Sequence, residues 1–171
     1  LADENFPRAA FEEAGWHVAV HGQKGFNGVA ILSRTPLSDV SARLPGDDDD
    51  AQARYLEATV DGIRIASIYL PNGNPVPGEK FDYKLAWMAR MKKRAAALLA
   101  LETPVVLAGD FNVIPQPNDC HDPDAWADDA LFQPESRAAF REVLNLGYTD
   151  ALRLMEPSGP AYTFWDYQRG A

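Results

Sequence analysis

The sequence predicts an α/β fold with mixed sheets, and three observations carry that prediction. Residues 55–60 and 63–70 are runs rich in apolar and β-branched residues, separated only by Asp61-Gly62. That dipeptide suits the positive φ angles of a type I′ turn, so the two runs form an antiparallel hairpin. Within residues 81–101, Leu85, Met88, Met91, Ala95, Leu98 and Leu99 fall near helical spacing, which predicts a long helix with one inward stripe. Residues 105–108 are apolar in succession, the pattern of a strand buried on both faces. Such strands need helices to cover them, which gives a layered α/β arrangement.

The other elements follow in chain order. Residues 6–14 read as a helix, with Asn5 as its cap, Pro7 in its first turn and Gly15 at its end. Residues 16–20 and 29–33 are short strands on either side of a glycine-rich loop, HGQKGFNG. The acidic run 47–50 is a surface turn, and PNGNPVPG (71–78) is a rigid loop without periodicity. Thr103-Pro104 ends the long helix. Residues 115–134 form a long polar loop, 136–146 an amphipathic helix closed by Gly147, and 162–167 an aromatic strand. No internal repeat, linker or low-complexity tract interrupts the chain.

A chain of 171 residues suits one domain with a sizeable core. Its 46% hydrophobic and 24% charged content is globular rather than disordered. No apolar run approaches the roughly 18 to 20 residues of a membrane span. The start lacks the basic-then-apolar order of a signal peptide, and it lacks Met, so translation is expected to begin further upstream. Cys120 is the only cysteine, which excludes an intrachain disulfide and fits a reducing, cytoplasmic compartment. A net charge of −9 counts against a general nucleic-acid coat, yet leaves room for an enzyme that grips a few phosphates locally. Lys80, Lys84, Arg90, Lys92, Lys93 and Arg94 concentrate positive charge on the long helix. The plain reading is a solvated helix face, with substrate steering as the alternative.

Several groups of residues could carry chemistry. Asp110 and Asn112 follow the apolar strand at a spacing of two, which puts both side chains on one face if the chain stays extended. A carboxylate there can take a proton from water or hold a hard cation, and a carboxamide can orient a substrate oxygen without adding negative charge. An Asx turn is the structural alternative. In SIYLPNGNP, Tyr69 sits near a strand end, where its phenol can donate to a phosphate oxygen, and Asn72 lies in the loop that follows. In GQKGFNGVAIL the glycines permit close backbone approach to a phosphate and Lys24 adds charge, but the spacing is not that of a P-loop. Phe164, Trp165 and Tyr167 can line an apolar slot or simply pack in the core. Cys120-His121 has no second Cys/His pair and is a poor metal candidate. His17 and His21 read as structural.

Taken in order, GQKGFNGVAILSR, YLPNG, LAGDFNV, PESRAAF…LGYTDALR and YTFWDY resemble the exonuclease III family of abasic-site endonucleases, within the endonuclease/exonuclease/phosphatase superfamily. The resemblance runs over essentially the whole chain. It implies a four-layer α/β/β/α sandwich of two mixed sheets, deoxyribonuclease I-like and incomplete at both ends. It also implies Mg²⁺- or Mn²⁺-dependent hydrolysis of DNA 5′ to an abasic site, often with 3′ exonuclease activity. The partner would be double-stranded DNA with abasic sites or 3′ ends, bound by a monomer away from any membrane. Residue by residue, Asp110 resembles the aspartate that activates or orients the attacking water, and Asn112 the asparagine that holds the scissile phosphate. Tyr69 resembles a phosphate-contacting tyrosine and Asn72 a phosphate-proximal asparagine. Gly25 and Phe26 match a loop that touches DNA near the lesion, and Phe164 and Trp165 an aromatic wall beside the flipped-out sugar.

One departure qualifies this. The family places a metal-binding glutamate and an asparagine ahead of this region, and an Asp-containing strand and a Ser-Asp-His motif after it. None of these appears here, so the metal ligands stay unassigned. The chain is expected to be the middle of a single longer domain, inactive on its own. Two other readings stand beside the nuclease. One is a superfamily phosphatase acting on a non-DNA phosphoester, and the other is a non-catalytic fragment of the scaffold.

Overall fold

The structure, a computed structural model, describes residues 1–164, and its first two strands pair across the loop 23–27. β1 (His17–Gly22) and β2 (Gly28–Ser33) are antiparallel, with His17 opposite Ser33 and Gly22 opposite Gly28. His21, Gly22 and Gly28, expected in the loop, therefore extend the strands. β3 (Ser38–Ala42), β4 (Tyr55–Val60), β5 (Ile63–Tyr69) and β6 (Val105–Asp110) form a second sheet in that order. β3, β4 and β5 pair antiparallel, and β5 and β6 pair parallel. Asp61 at φ 48° and Gly62 at φ 80° supply the expected turn between β4 and β5. A parallel pair needs a long crossover, and α2 (Glu79–Leu99) lies in the connection from β5 to β6. The four-stranded sheet is thus mixed. Among the described residues the smaller sheet is an antiparallel pair, and the two sheets with their helices give the expected α/β fold.

The chain divides into two compact units. The first comprises Leu1–Pro71 and Ala89–Phe111 and holds all six strands. Its core lies between the sheets. Ala19, Val29 and Ile31 of the small sheet pack with Leu56 and Ala58 of β4, and Leu37, Ile65 and Tyr69 close over them. α1 (Arg8–Glu13) lies beside β1, where Arg8 donates to the Val18 carbonyl at 2.8 Å. Asn5 does not cap this helix. It ends a 3-10 turn, and Pro7 takes the cap position without a side-chain bond. β3 escapes sequence reading because SDVSA is polar and mostly exposed, held by backbone pairing rather than by an apolar stripe.

Strand alternation sends Tyr55 and Glu57 of β4, and Arg64 of β5, to the opposite face. There Glu57 is 1% exposed and is the hub of a buried polar cluster. Arg64 Nη2 donates to Glu57 Oε1 at 2.6 Å, Tyr55 Oη donates to Oε2 at 2.6 Å, and Arg94 of α2 pairs with the same carboxylate. Burial alone would raise the Glu57 pKa. The hydrogen bonds from Arg94, Tyr55 and Arg64 outweigh it and hold the carboxyl below its ordinary range. Burial, and then the Glu57 carboxylate, push the Tyr55 phenol far up, so it stays protonated and donates.

The basic segment is not a solvated face. Arg94 is bound to Glu57, Arg90 to Asp50, and Lys84 is 0% exposed, while Lys80 and Lys93 face solvent. Arginine forks satisfy buried carboxylates that a helix-periodicity reading cannot see. Nor is β6 buried on both faces. Val106 is 45% exposed and Ala108 is exposed, because β6 pairs with β5 alone among the described residues.

The second unit comprises Asn72–Met88 and the chain from Asn112 onward. α3 (Pro134–Leu144) starts two residues earlier than expected, with proline in its first turn. It also ends earlier, at Leu144, with Gly147 at φ 120° two residues past the Asn145 cap. α4 (Ala151–Met155) is too short for periodicity to reveal, but Asp150 caps it by accepting from the Arg153 N–H at 3.1 Å. Of the expected aromatic strand, residues 162–164 have no regular secondary structure and the rest lies outside the described residues. No described helix is long and apolar enough to cross a membrane.

Glu57→Gln is expected to cost about 3 kcal/mol or more, since it strips charge from a buried paired site. Because the folded Glu57 pKa is lowered, its stabilisation is fully present above the unfolded value near 4.5 and is lost as pH falls below it. Denaturant unfolding at pH 7 and pH 4 checks both points. The wild type should lose stability between the two, and the Gln variant should lose less.

Candidate active site

The site grows from the ends of two parallel strands. β5 ends on Tyr69 and β6 on Asp110, and these residues are register partners. The Leu70 N–H donates to the Asp110 carbonyl at 2.8 Å and carries the ladder one step further. Partners in register share a face, so the phenol and the carboxylate emerge together at the strand ends. Asp110 is exposed and Tyr69 half-buried.

Gly109 makes this pairing possible. Its φ is 138°, and a Cβ there would lie 2.0 Å from the Ile68 carbonyl oxygen. Only glycine fits between Ile68 and the carboxylate-bearing residue. On the other side of Tyr69, the Arg54 guanidinium lies 4.8 Å from the ring centroid and donates to the Tyr69 carbonyl at 3.2 Å. Arg54 Nε is held by Gln52 Oε1 at 2.7 Å, and Asn27 Nδ2 donates to Gln52 at 3.3 Å and to Gln23 at 2.9 Å. A polar chain thus runs from the glycine-rich loop to the phenol.

That loop carries Gly25 and Phe26. Gly25 has φ 101° and Phe26 is 100% exposed, an apolar ring presented to solvent at the hairpin tip. Lys24 is exposed beside it. His21 Nδ1 lies 3.2 Å from the Tyr55 carbonyl, the structural role expected of it.

In the second unit, Asn112 has φ 44°. The chain is not extended at Asn112, so the condition under which Asp110 and Asn112 would share a face is not met. Asparagine tolerates this left-handed conformation better than most side chains. Asn72 is exposed, and its Oδ1 accepts from the Asn74 N–H at 3.1 Å in an Asx turn. What Asn72 has left to offer a ligand is its amide N–H₂ group. Asn74 in turn donates to Asp129 Oδ2 at 3.0 Å and accepts from the Ala130 N–H at 2.9 Å, which ties the proline-rich loop to the long polar one. Lys84 donates to the backbone carbonyls of both Asn72 and Asn112. Phe164 is 72% exposed, and Trp165 lies outside the described residues.

Among the described residues, no group of three or more His, Cys, Asp or Glu side chains is placed to hold a metal ion. Asp110 supplies a single carboxylate, which does not make a metal site by itself. Cys120 Sγ donates to the Pro117 carbonyl at 3.4 Å, and burial, with Asp119 and Asp122 nearby, raises its pKa. That is a poor start for a thiolate ligand. Two concavities of about 500 Å³ lie in the first unit, one lined by Trp16, His17, Leu37 and Val40, the other by Asp39, Thr59, Arg64 and Arg94. Neither is lined by Tyr69 or Asp110.

Sequence reasoning missed Arg54 and Gly109 beside Tyr69 and Asp110, and Lys84 beside Asn72 and Asn112. Gly109 was readable as a glycine fixed ahead of an exposed acid. Arg54 and Lys84 gave no signal, since a lone cation looks the same whether it is solvated or bound to main-chain oxygen.

The chain belongs to the Endonuclease/Exonuclease/phosphatase family, whose model matches residues 1–171. Among solved structures, it is 40% identical to the 3′ phosphatase NExo from Neisseria bound to a product DNA hairpin, with a TM-score of 0.94 over 100% of this chain and 66% of that one. It is 36% identical to an AP endonuclease from Archaeoglobus fulgidus, with a TM-score of 0.92 over 98% of this chain and 65% of that one. It is 31% identical to the DNA repair nuclease APEX1 of Danio rerio over 87% of this chain and 48% of that protein. The chain thus spans about half to two thirds of the length of these relatives.

Gly109→Ala is expected to destabilise by about 3 kcal/mol or more, because the methyl group meets backbone rather than a side chain that can move, at a φ that alanine avoids. Urea unfolding of the variant measures it. A loss under 1 kcal/mol would mean that β6 can shift on β5 at little cost.

Proposed function

We propose that this chain is part of a DNA-repair phosphodiesterase that hydrolyses the backbone 5′ to an abasic site. The observation that carries the proposal is the register pairing of Tyr69 with Asp110 at the strand ends. Family membership and the DNA-bound 3′ phosphatase relative support DNA as the substrate.

In this reading Asp110 takes the proton of the attacking water or orients that water toward phosphorus. Tyr69 donates its phenolic hydrogen to a phosphate oxygen, and Arg54 fixes the ring. Asn112 and Asn72 hold further phosphate oxygens through their amide groups, adding no negative charge. Gly25 and Phe26 touch the duplex near the lesion, and Phe164 and Trp165 border the pocket for the extruded sugar. An abasic nucleotide has no base to unstack, so extrusion costs less than for an intact one. A few local phosphate contacts suffice despite the net charge of −9. A divalent ion, Mg²⁺ or Mn²⁺, would neutralise charge on the phosphate. The described residues do not gather its ligands. The protein works as a cytoplasmic monomer.

A second reading is favoured by the higher identity to the 3′ phosphatase than to the AP endonuclease, 40% against 36%. Here the same residues act at 3′ ends.

The test uses the full-length product of the parent gene on two duplexes, one with a single abasic site and one with a 3′-phosphate end. Nicking 5′ to the lesion in Mg²⁺, lost with chelator, is the expected result. Removal of the 3′ phosphate without nicking would select the second reading. Asp110→Asn is expected to lower the rate by about 10³-fold, with a thermal midpoint close to that of the wild type. Wild-type rates in that variant would remove Asp110 from the chemistry.

A further inference from the structure

Lys84 is a fully buried lysine with hydrogen bonds to two main-chain oxygens. It is 0% exposed, within the part of α2 that belongs to the second unit. Its Nζ donates to the Asn72 carbonyl at 3.0 Å and also to the Asn112 carbonyl. Gly73 leaves the room for it. At φ 96°, a Cβ on residue 73 would lie 2.7 Å from Lys84 Cδ and 3.1 Å from the Ala130 Cβ. The lysine stem therefore runs against bare backbone at the end of YLPNG. Its ammonium then bridges the loop that carries Asn72 and the loop that carries Asn112.

Burying an ammonium is costly unless it is well hydrogen-bonded. Filling space next to Gly73 would be done at less cost by an apolar chain of similar length. What an ammonium adds is donors that can serve two carbonyls at once, on a compact point charge. One of those carbonyls belongs to Asn112, whose backbone is in the left-handed region at φ 44°. A hydrogen bond to that carbonyl helps to hold the residue in this conformation.

We propose that Lys84 is a positioning residue, which sets the Asn72 and Asn112 backbones relative to each other so that their two amide groups meet one phosphate. The inference rests on the phosphodiesterase reading. Lys84 does not touch the substrate. It acts through two residues that do.

The test compares Lys84→Met and Lys84→Arg with wild type in the full-length protein, on an abasic duplex with Mg²⁺. Lys84→Met keeps the length and apolar bulk but removes every donor. It should fold, lose about tenfold to a hundredfold in kcat, and keep KM within about threefold. Lys84→Arg, which restores donors, should recover most of the lost kcat. Folded Lys84→Met with wild-type kcat, or two variants whose kcat follows only the folded fraction, would overturn the proposal. A second measurement needs neither variant nor substrate. In ¹⁵N,¹³C-labelled wild type, the Lys84 ammonium should exchange slowly and show couplings across hydrogen bonds to the carbonyl carbons of Asn72 and Asn112. Absence of those couplings would overturn the proposal even if Lys84→Met fails to fold. A wild-type protein that shows the couplings but cuts no DNA would instead count against the phosphodiesterase reading.

Discussion

Every role assigned to this site depends on the parallel pairing of β5 with β6. In an antiparallel pair the end of one strand lies beside the start of the next. Only a parallel pair brings two C-terminal ends, and so Tyr69 and Asp110, to the same edge. That pairing requires a crossover, which contains the 21 residues of α2, and a close approach, which Gly109 permits. Ligands of open α/β sheets collect at the carboxyl ends of parallel strands for the same reason. The YLPNG and GDFN motifs are the two chain segments that leave this edge. Their glycines, Gly73 and Gly109, are the points where packing leaves no room for a side chain.

The long helix contributes through its cations. Arg94 and Arg90 are bound to carboxylates in the first unit, and Lys84 to carbonyls in the second. A buried ion cluster such as Tyr55–Glu57–Arg64–Arg94 is weak support for stability when compared with an apolar core, yet it penalises any other register. If β4 slipped by one residue, Glu57 would turn toward the apolar layer formed by Ala19, Val29 and Ile31. The cluster thus specifies how β4 and β5 sit, and β5 in turn carries Tyr69.

Much of this was legible in the sequence, for physical reasons that can be named. The β4–β5 hairpin was readable because Asp61-Gly62 favours positive φ, and α2 because its apolar residues repeat at helical spacing. The functional motifs were legible as ordered peptides, and their order carried more than any one of them. What stayed hidden was whatever depends on a partner distant in sequence. Apolar residues in succession from Val105 to Leu107 predict burial, but the exposure of Val106 depends on which strands lie beside β6. The left-handed backbone at Asn112 is compatible with asparagine, but Gly-Asp-Phe-Asn alone does not choose it over an extended chain. Lys84 and Arg94 look like surface cations until Asn72, Asn112 and Glu57 are found at their ends. β3, with its polar SDVSA sequence, is held by backbone bonds that side chains do not advertise.

The central claim is that Tyr69 and Asp110 work as one unit because their strands pair in register. A double-mutant cycle tests it most directly. Tyr69→Phe, Asp110→Asn and the double variant would be compared with wild type in the full-length protein, by single-turnover cleavage of an abasic duplex. Coupled residues give non-additive losses, so the double variant should be little slower than the slower single variant. Losses that multiply would mean that the two residues act independently, and the strand-end register would then not be the basis of the site.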